Sequence, residues 1–296
     1  MMTTASTAAV KMIDINDCLR EVNDLMVSAL EETPLSFLVN ESKGLMAQGK
    51  MLRSRLPYRI GPVIGTDNRT LLHAAAAVEM IHSASLLHDD VIDGGLLRRG
   101  VPAFWVERGV SGAILLGDML LFKALDVICQ VEESRLAHPL VLFTGEVCQA
   151  EAEQELIYRG RDTKWADYLN IARRKTGALF AFTAYAAATN EPLLREALKE
   201  AGYKIGTAYQ MADDILDAKG SGSASGKTLG TDSQRQKSTV LNFMPKGTDP
   251  VAFIFGLCED ARVGLRAWPE VQEAWDQYME LDLMPELNKH LKLIKE

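Results

Sequence analysis

The chain has 296 residues and carries 40 acidic and 32 basic side chains, which gives a formal net charge of −8. This balance argues against a nucleic-acid-binding surface, which needs a basic patch or stripe. Apolar residues make up 47% of the chain, enough for a large core. Because no linker rich in Pro, Gly or Ser divides the middle of the chain, we expect a single domain over residues 1–296.

The N-terminal segment MMTTASTAAVKM has neither a basic start nor an apolar run, so it does not predict a secretory signal. The most apolar stretches are also too short to span a membrane, because a spanning helix needs about 18–20 uninterrupted apolar residues. The stretch 112–128, for example, is interrupted by Asp118, Lys123 and Asp126. We therefore expect a cytoplasmic protein with no transmembrane segment.

Helical periodicity dominates the chain. Apolar residues at steps of three and four predict an amphipathic first helix: Ile15, Leu19, Val22, Met26 and Leu30. Five long stretches are poor in Pro and rich in good helix formers, and they predict helices over residues 71–93, 110–131, 140–158, 165–190 and 192–218. Alternating β-branched runs are missing from the sequence, so we predict an all-α chain without a sheet.

One segment departs from this pattern. Residues 220–237 read GSGSASGKTLGTDSQRQK, with Gly and Ser dominating the first half. This composition predicts a flexible loop after a long helix. Such a loop is usually only a connector, but its lysines and its position behind an acidic motif favour a lid that closes over a ligand.

Two aspartate clusters carry the chemical signal: DDVID at residues 89–93 and DDILD at residues 213–217. On a helix, residues i and i+4 lie about 40° apart around the axis and about 6 Å apart along it. Asp89 and Asp93 therefore share a face, as do Asp213 and Asp217. Stacked carboxylates repel unless a cation lies between them. Mg²⁺ suits such pairs, because it binds one or two carboxylates together with phosphate oxygens.

The alternative interpretation is that acidic runs are solvated helix surface, and for a single cluster that interpretation is the better one. If Asp makes up about 6% of residues, a chain of this length contains two copies of DDxxD by chance with a probability of roughly 0.002. The first cluster also lies among the apolar residues Leu86, Leu87 and Val91. Carboxylates in such surroundings need a partner, so we prefer the metal site.

Basic residues are available to complete a diphosphate site. Arg98 and Arg99 follow Asp93 by five and six residues, and arginine grips phosphate oxygens in bidentate fashion. Further candidates lie in QGKMLRS, in RRKTG and in the loop: Lys50, Arg53, Lys175, Thr176, Lys227 and Lys237. Each alone is more often a surface charge, but a site for two diphosphates needs several cations.

Together, these motifs resemble those of the trans-isoprenyl diphosphate synthases, which are also called polyprenyl synthetases. The resemblance runs in order through GKMLR, IHSASLLHDDVIDGGLLRRG, GEVCQAE, KTGALF, YQMADDILD and GKTLGTD followed by KST. The first aspartate block with RRG at its fixed spacing is highly specific for this family. The second block, preceded by Gln210, is nearly as specific.

The resemblance implies long, mostly antiparallel helices around a deep central cavity, usually in a homodimer. It implies that three Mg²⁺ ions bind Asp89, Asp93 and Asp213, with Asp90, Asp214 and Asp217 in supporting positions. The residues it assigns to the allylic diphosphate are Arg98, Lys175, Thr176, Gln210, Lys227 and Lys237. Those it assigns to isopentenyl diphosphate are Lys50, Arg53, His82 and Arg99. Lys175 joins the three aspartates as a catalytic candidate.

The chain departs from the family pattern in the first basic motif. Where the family reads GGKRxRP, this chain has Gln48, Met51 and Ser54 in place of Gly, Arg and Pro. Lys50 and Arg53 keep their spacing, so we retain the predicted isopentenyl diphosphate site. The C-terminal LKLIKE also lacks the basic ending of many short-chain members.

Product length depends, in this family, on the residues below the first aspartates. Bulky aromatic side chains there stop chain growth early, whereas Ala84 and Ser85 are small. We therefore predict a linear product of C20 or longer. Two other functions share part of this pattern: a class I terpene cyclase, whose second motif is of an Asn/Ser/Glu type, and a non-catalytic subunit of a heteromeric synthase, which typically lacks one or both aspartate clusters.

Overall fold

The computed structural model describes residues 14–33, 35–36, 49–131, 135–161, 164–188, 191–219 and 243–292. Its helices in chain order are α1 (Ile15–Glu31), α2 (Leu52–Ile60), α3 (Asn68–Asp93), α4 (Phe104–Cys129), α5 (Ala137–Glu153), α6 (Trp165–Ala172), α7 (Ala178–Ala187), α8 (Pro192–Lys219), α9 (Pro250–Val263), α10 (Pro269–Tyr278) and α11 (Met284–Lys292). A 3₁₀ turn, Gly61–Ile64, follows α2. The predicted all-α fold is confirmed.

The prediction of no strands is wrong at one point. A short antiparallel ladder pairs β1 (Leu97–Arg98) with β2 (Val101–Pro102). The two residues between them, Arg99 and Gly100, have φ of 53° and 80°. Positive φ at both central positions is the requirement of a type I′ hairpin turn, and both residues that meet it belong to the RRG motif.

Two predicted helices are interrupted by π-helical turns. The predicted helix over 140–158 is α5 followed by the π turn Gln154–Tyr158. The predicted helix over 165–190 is α6, then the π turn Arg173–Gly177, then α7, which ends at Ala187. Single π turns inside α-helices occur frequently at functional sites.

Helix α3 begins and ends at well-defined caps. The side chain of Asp67 accepts a hydrogen bond from the Thr70 amide at 2.8 Å, and Gly94 ends the helix in the left-handed conformation. The first aspartate cluster is therefore the last turn of α3. In the described part of the chain, α3 is the helix that is long and apolar enough to cross a membrane, but 78% of its apolar window is buried in the fold.

The core consists of two hydrophobic clusters that share α7. One cluster joins α7 to α1, α3, α4 and α5, and the other joins it to α2, α8, α9, α10 and α11. Every residue of α7 except Tyr185 is buried, as expected for a helix that is apolar on all sides. Phe182 belongs to the first cluster and Phe180 to the second.

Two glycines bring α8 unusually close to the turn before α7. A Cβ atom added to Gly206 would lie 2.5 Å from the Cα atom of Gly177, which is closer than non-bonded carbons approach. A Cβ atom added to Gly177 would lie 2.9 Å from the carbonyl oxygen of Tyr203, so the close approach leaves no room for a side chain at either glycine. This close approach holds Lys175 and Thr176, which immediately precede Gly177, against the helix that carries the second aspartate cluster.

Candidate active site

The first aspartate cluster divides into two roles. Asp89 and Asp93 are half-buried at the end of α3, whereas Asp90 is buried. The Nε atom of Arg98 lies 3.1 Å from both carboxylate oxygens of Asp90, and its Nη2 atom makes a further contact. Asp90 therefore anchors the β1–β2 hairpin to α3, and Arg98 is engaged by that carboxylate.

Lys175 lies among acidic groups from two other segments. Its Nζ atom donates to the side-chain oxygen of Gln154 at 3.0 Å and forms an ion pair with Glu151. Burial opposes the charge of Lys175, but Asp89, Glu151 and Asp93 outweigh burial and raise the pKa of Lys175 above its ordinary value. Lys175 thus stays cationic beside the first aspartate cluster.

A chain of hydrogen bonds joins the residue next to Lys175 to the second cluster. The Thr176 hydroxyl donates to Gln210, and the Gln210 amide donates to one carboxylate oxygen of Asp214 at 2.7 Å. The hydroxyl of Tyr168 donates to the other oxygen at 2.6 Å. Asp214 is buried and bound on both oxygens, which leaves Asp213, on the adjacent position of α8, as the more accessible carboxylate.

The basic motif around the start of α2 contacts the basic motif in the β1–β2 hairpin. A Cβ atom added to Gly49 would lie 3.2 Å from the Nη2 atom of Arg99, so GKMLR and RRG are in contact. The Arg53 guanidinium lies 5.0 Å from the centroid of the Phe180 ring. Lys50 forms an ion pair with Glu286 of α11. These three basic residues therefore surround one region.

This basic region adjoins the second aspartate cluster through Tyr209. Burial and the negative charge of Asp213 raise the pKa of the Tyr209 hydroxyl, and the charges of Arg53 and Arg99 oppose that rise. The charge of Asp213 in turn acts on the Arg53 guanidinium. Tyr209 lies one turn before Asp213 on α8, with its ring 6.1 Å from that of Phe180.

Most of the predicted site residues are therefore brought into two neighbouring groups. The first group contains Asp89, Asp93, Lys175, Thr176 and Gln210, and the second contains Lys50, Arg53, Arg99 and Asp213. His82 is half-buried on α3, two turns before Asp89. Asp217 is half-buried at the end of α8. The predicted lid over 220–237, with Lys227 and Lys237, lies outside the described residues.

Several residues of this region were not predicted as site residues: Glu79, Glu151, Tyr168, Tyr209 and Glu286. Glu151 and Tyr209 lie within the quoted motifs, and Glu79 is three residues before His82 on the same helix face, so spacing could have indicated them. Tyr168 and Glu286 reach the site only through tertiary packing, and no local pattern identifies them.

The donor set suits a metal ion that arrives with a phosphate. Among the described residues, no three His, Cys, Asp or Glu side chains lie close enough together to hold a metal ion by themselves. The available donors are pairs of hard carboxylate oxygens, as at Asp89 and Asp93. Mg²⁺ commonly takes one or two carboxylates and completes its octahedral shell with phosphate oxygens and water.

The helical fold is the isoprenoid synthase fold. A solved polyprenyl synthase from Caulobacter crescentus, complexed with calcium and isoprenyl diphosphate, superposes with a TM-score of 0.77 at 25% identity, covering 95% of this chain and 99% of that one. The chain belongs to the polyprenyl synthetase family, whose model matches residues 37–246.

Two sequence relatives support this membership. A short chain isoprenyl diphosphate synthase from Methanocaldococcus jannaschii is 36% identical over 213 residues, 69% of this chain and 64% of that protein. A geranylgeranyl diphosphate synthase from Methanosarcina mazei is 35% identical over 214 residues, 68% of this chain and 65% of that protein. The chain thus matches slightly less than two thirds of the length of either relative.

Proposed function

We propose that the protein is a Mg²⁺-dependent trans-prenyltransferase that condenses an allylic diphosphate with isopentenyl diphosphate, head to tail. The allylic substrate would be dimethylallyl, geranyl or farnesyl diphosphate. One observation carries the proposal: Lys175 and Thr176 lie next to each other, Lys175 beside the first aspartate cluster and Thr176 hydrogen-bonded toward the second. This arrangement suits a diphosphate held between the two clusters.

The two groups of residues would hold the two substrates. Asp89, Asp93 and Asp213 would bind three Mg²⁺ ions on the allylic diphosphate, which is also contacted by Arg98, Lys175, Thr176 and Gln210. Lys50, Arg53, His82 and Arg99 would hold isopentenyl diphosphate. Bound Mg²⁺ would neutralise charge on the diphosphate oxygens and so make the diphosphate a better leaving group.

The chain's own residues favour ionisation of the allylic substrate. When the C1–O bond breaks, both of its electrons leave with the diphosphate, and the cationic Lys175 is positioned to stabilise that charge. The double bond of isopentenyl diphosphate then attacks the allylic cation and forms the new C–C bond. A proton leaves the resulting cation and passes to the released diphosphate. Water has to be excluded to protect the cation, which is the role we assign to a lid over 220–237.

We further propose a product of C20 or longer. Ala84 is fully buried and Ser85 is half-buried, one turn or so before Asp89, and the Ser85 hydroxyl donates to the His82 carbonyl at 2.8 Å. Neither side chain is bulky enough to block a growing prenyl chain below the first aspartate cluster. Relatives of this chain include geranylgeranyl, farnesyl and octaprenyl diphosphate synthases, so the family alone does not fix the length.

We also propose a homodimer, because α4 and α5, which contact each other, both expose large apolar side chains. Leu115 and Phe122 are 65% and 73% exposed, and their spacing of seven residues places them on one face of α4. Val141 and Leu142 are exposed on α5. Large apolar side chains clustered on a surface mark interaction sites. Phe122→Glu is expected to yield a monomer in sedimentation velocity runs, and an unchanged mass would contradict this interface.

Product analysis tests the proposed activity. The purified chain is incubated with labelled isopentenyl diphosphate, Mg²⁺ and each of the three primers, and the products are separated by chromatography. We expect labelled linear prenyl diphosphates, lost on chelation and in Asp89→Asn. Asp126→Asn, an exposed aspartate on α4, is the matched control and should retain activity. Cyclic products from farnesyl diphosphate alone would indicate a terpene cyclase. Inactivity that a partner subunit relieves would indicate a heteromeric synthase.

A further inference from the structure

A buried carboxylate lies beside the residues proposed to hold isopentenyl diphosphate. Glu79, on α3 three residues before His82, is only 6% exposed. Its Oε1 atom accepts a hydrogen bond of 2.9 Å from the hydroxyl of Ser54, which is fully buried. A buried carboxylate needs hydrogen bonds and an opposite charge to be tolerated, and Ser54 supplies only the former.

The opposite charge comes from the arginines of the same region. Arg53 adjoins Ser54 on α2, and its Nε atom is buried without a hydrogen-bond partner among the described residues. Burial lowers the pKa of the Arg53 guanidinium, whereas the charge of Glu79 opposes that change. Burial likewise raises the pKa of Glu79, and the charges of Arg53 and Arg99 oppose that rise. Glu79 therefore interacts electrostatically with two candidate phosphate ligands, Arg53 and Arg99.

We infer that Glu79, oriented by the Ser54 hydroxyl, is a positioning residue that holds Arg53 and Arg99 in place for the diphosphate of isopentenyl diphosphate. The inference rests on the proposed function and adds a residue to it. The family pattern quoted above has Pro where this chain has Ser54, and Pro has no hydroxyl to donate. Ser54 thus makes a contact that the pattern residue cannot make.

A positioning role for Glu79 predicts a change in diphosphate affinity opposite in direction to the one that simple electrostatics predicts. If Glu79 acted only through its charge, its removal would strengthen anion binding, because one repulsive charge would be lost. If Glu79 positions the arginines, its removal weakens binding, because the guanidinium groups lose the fixed geometry that bidentate contacts to phosphate need. The direction of the change in affinity therefore separates the two explanations.

Calorimetric titration of isopentenyl diphosphate, with Mg²⁺ and without an allylic primer, measures this affinity in the absence of turnover. We expect Glu79→Gln to weaken binding about tenfold and Ser54→Ala about threefold. Glu79→Gln added to Arg53→Lys should weaken binding less than twofold further, because the two residues act as one unit. Thr183→Val removes a buried hydroxyl of α7 that donates to main-chain carbonyls, and it should leave the affinity unchanged.

The outcomes separate the inference from the proposed function. If the wild-type chain binds isopentenyl diphosphate and Glu79→Gln binds it equally well or more tightly, this inference is wrong and the proposed function stands. If the wild-type chain does not bind it, both are wrong. Equal weakening for isopentenyl and geranyl diphosphate would show a general structural defect and would also overturn the inference. Should Glu79→Gln fail to fold, an unchanged affinity in Ser54→Ala decides against it.

Discussion

The ion pair between Asp90 and Arg98 provides a quantitative test of the structure that does not depend on substrate. The side chains are 6% and 18% exposed, and three contacts join them. Removal of one partner from such a pair leaves an uncompensated buried charge, at a cost of about 3–5 kcal/mol. We therefore expect Arg98→Met to lower the free energy of unfolding by that amount, a large share of the roughly 5–15 kcal/mol typical of folded proteins.

The reciprocal change should cost less. Asp90→Asn removes the charge but leaves an amide oxygen that still accepts a hydrogen bond from Arg98, so we expect a loss of about 1–3 kcal/mol. Replacing both residues, as in Asp90→Leu with Arg98→Met, removes the unpaired charge altogether. The double variant should therefore be more stable than Arg98→Met alone, because apolar replacement of a whole buried pair is often nearly neutral.

Urea denaturation of the metal-free protein measures these differences from the midpoint and slope of each transition. The matched control is Arg20→Met, because Arg20 pairs with Asp17 on α1 while its side chain is 71% exposed. That variant should lose no more than about 1 kcal/mol. The reasoning would be refuted if Arg98→Met cost no more than Arg20→Met, or if the double variant were no more stable than Arg98→Met alone.

Three further predictions concern the site. Tyr168→Phe removes the 2.6 Å hydrogen bond to Asp214, so chemical denaturation should show a loss of about 1.5–3 kcal/mol, and equal stability would contradict the buried contact. In metal-free buffer, Lys175→Gln should be less stable than the wild type by the same amount throughout pH 6–9. Acidic neighbours raise the pKa of Lys175, and a group with a raised pKa contributes its full stabilisation below its ordinary pKa, about 10.4 for lysine. A difference in unfolding free energy that vanishes before pH 9 would contradict this. Ser85→Phe and Ala84→Phe should each shorten the product that chromatography detects, whereas Thr183→Val should not. Unchanged products would show that neither Ser85 nor Ala84 limits the length of the product.

Sequence could predict the helices because their apolar residues recur at helical spacing and their ends are marked by residues such as Asp67 and Gly94. It could not predict the π turns at Gln154–Tyr158 and Arg173–Gly177. A π turn has no composition of its own and persists because tertiary contacts stabilise it. The β1–β2 hairpin was missed for a related reason, since two residues per strand give no alternation to detect.

The candidate site shows the same division. The aspartate clusters and Lys175 could be predicted because their residue types and spacing are local properties of the sequence. The partners of these residues could not. Glu151 and Gln154 reach Lys175 from another helix, Tyr168 reaches Asp214 across 46 positions, and Glu286 reaches Lys50 across 236. Only the packed fold decides which of many carboxylates and hydroxyls fills each position.

The π turn at Arg173–Gly177 makes the orientation of Lys175 and Thr176 sensitive to insertions and deletions. Each residue of an α-helix advances the chain by 100° around the axis. Loss of a single residue between Thr176 and Phe180 would therefore rotate Lys175 and Thr176 by about that angle relative to Phe180 on α7. The two side chains would then be displaced from their contacts with Glu151, Gln154 and Gln210, although these three residues remained in the chain.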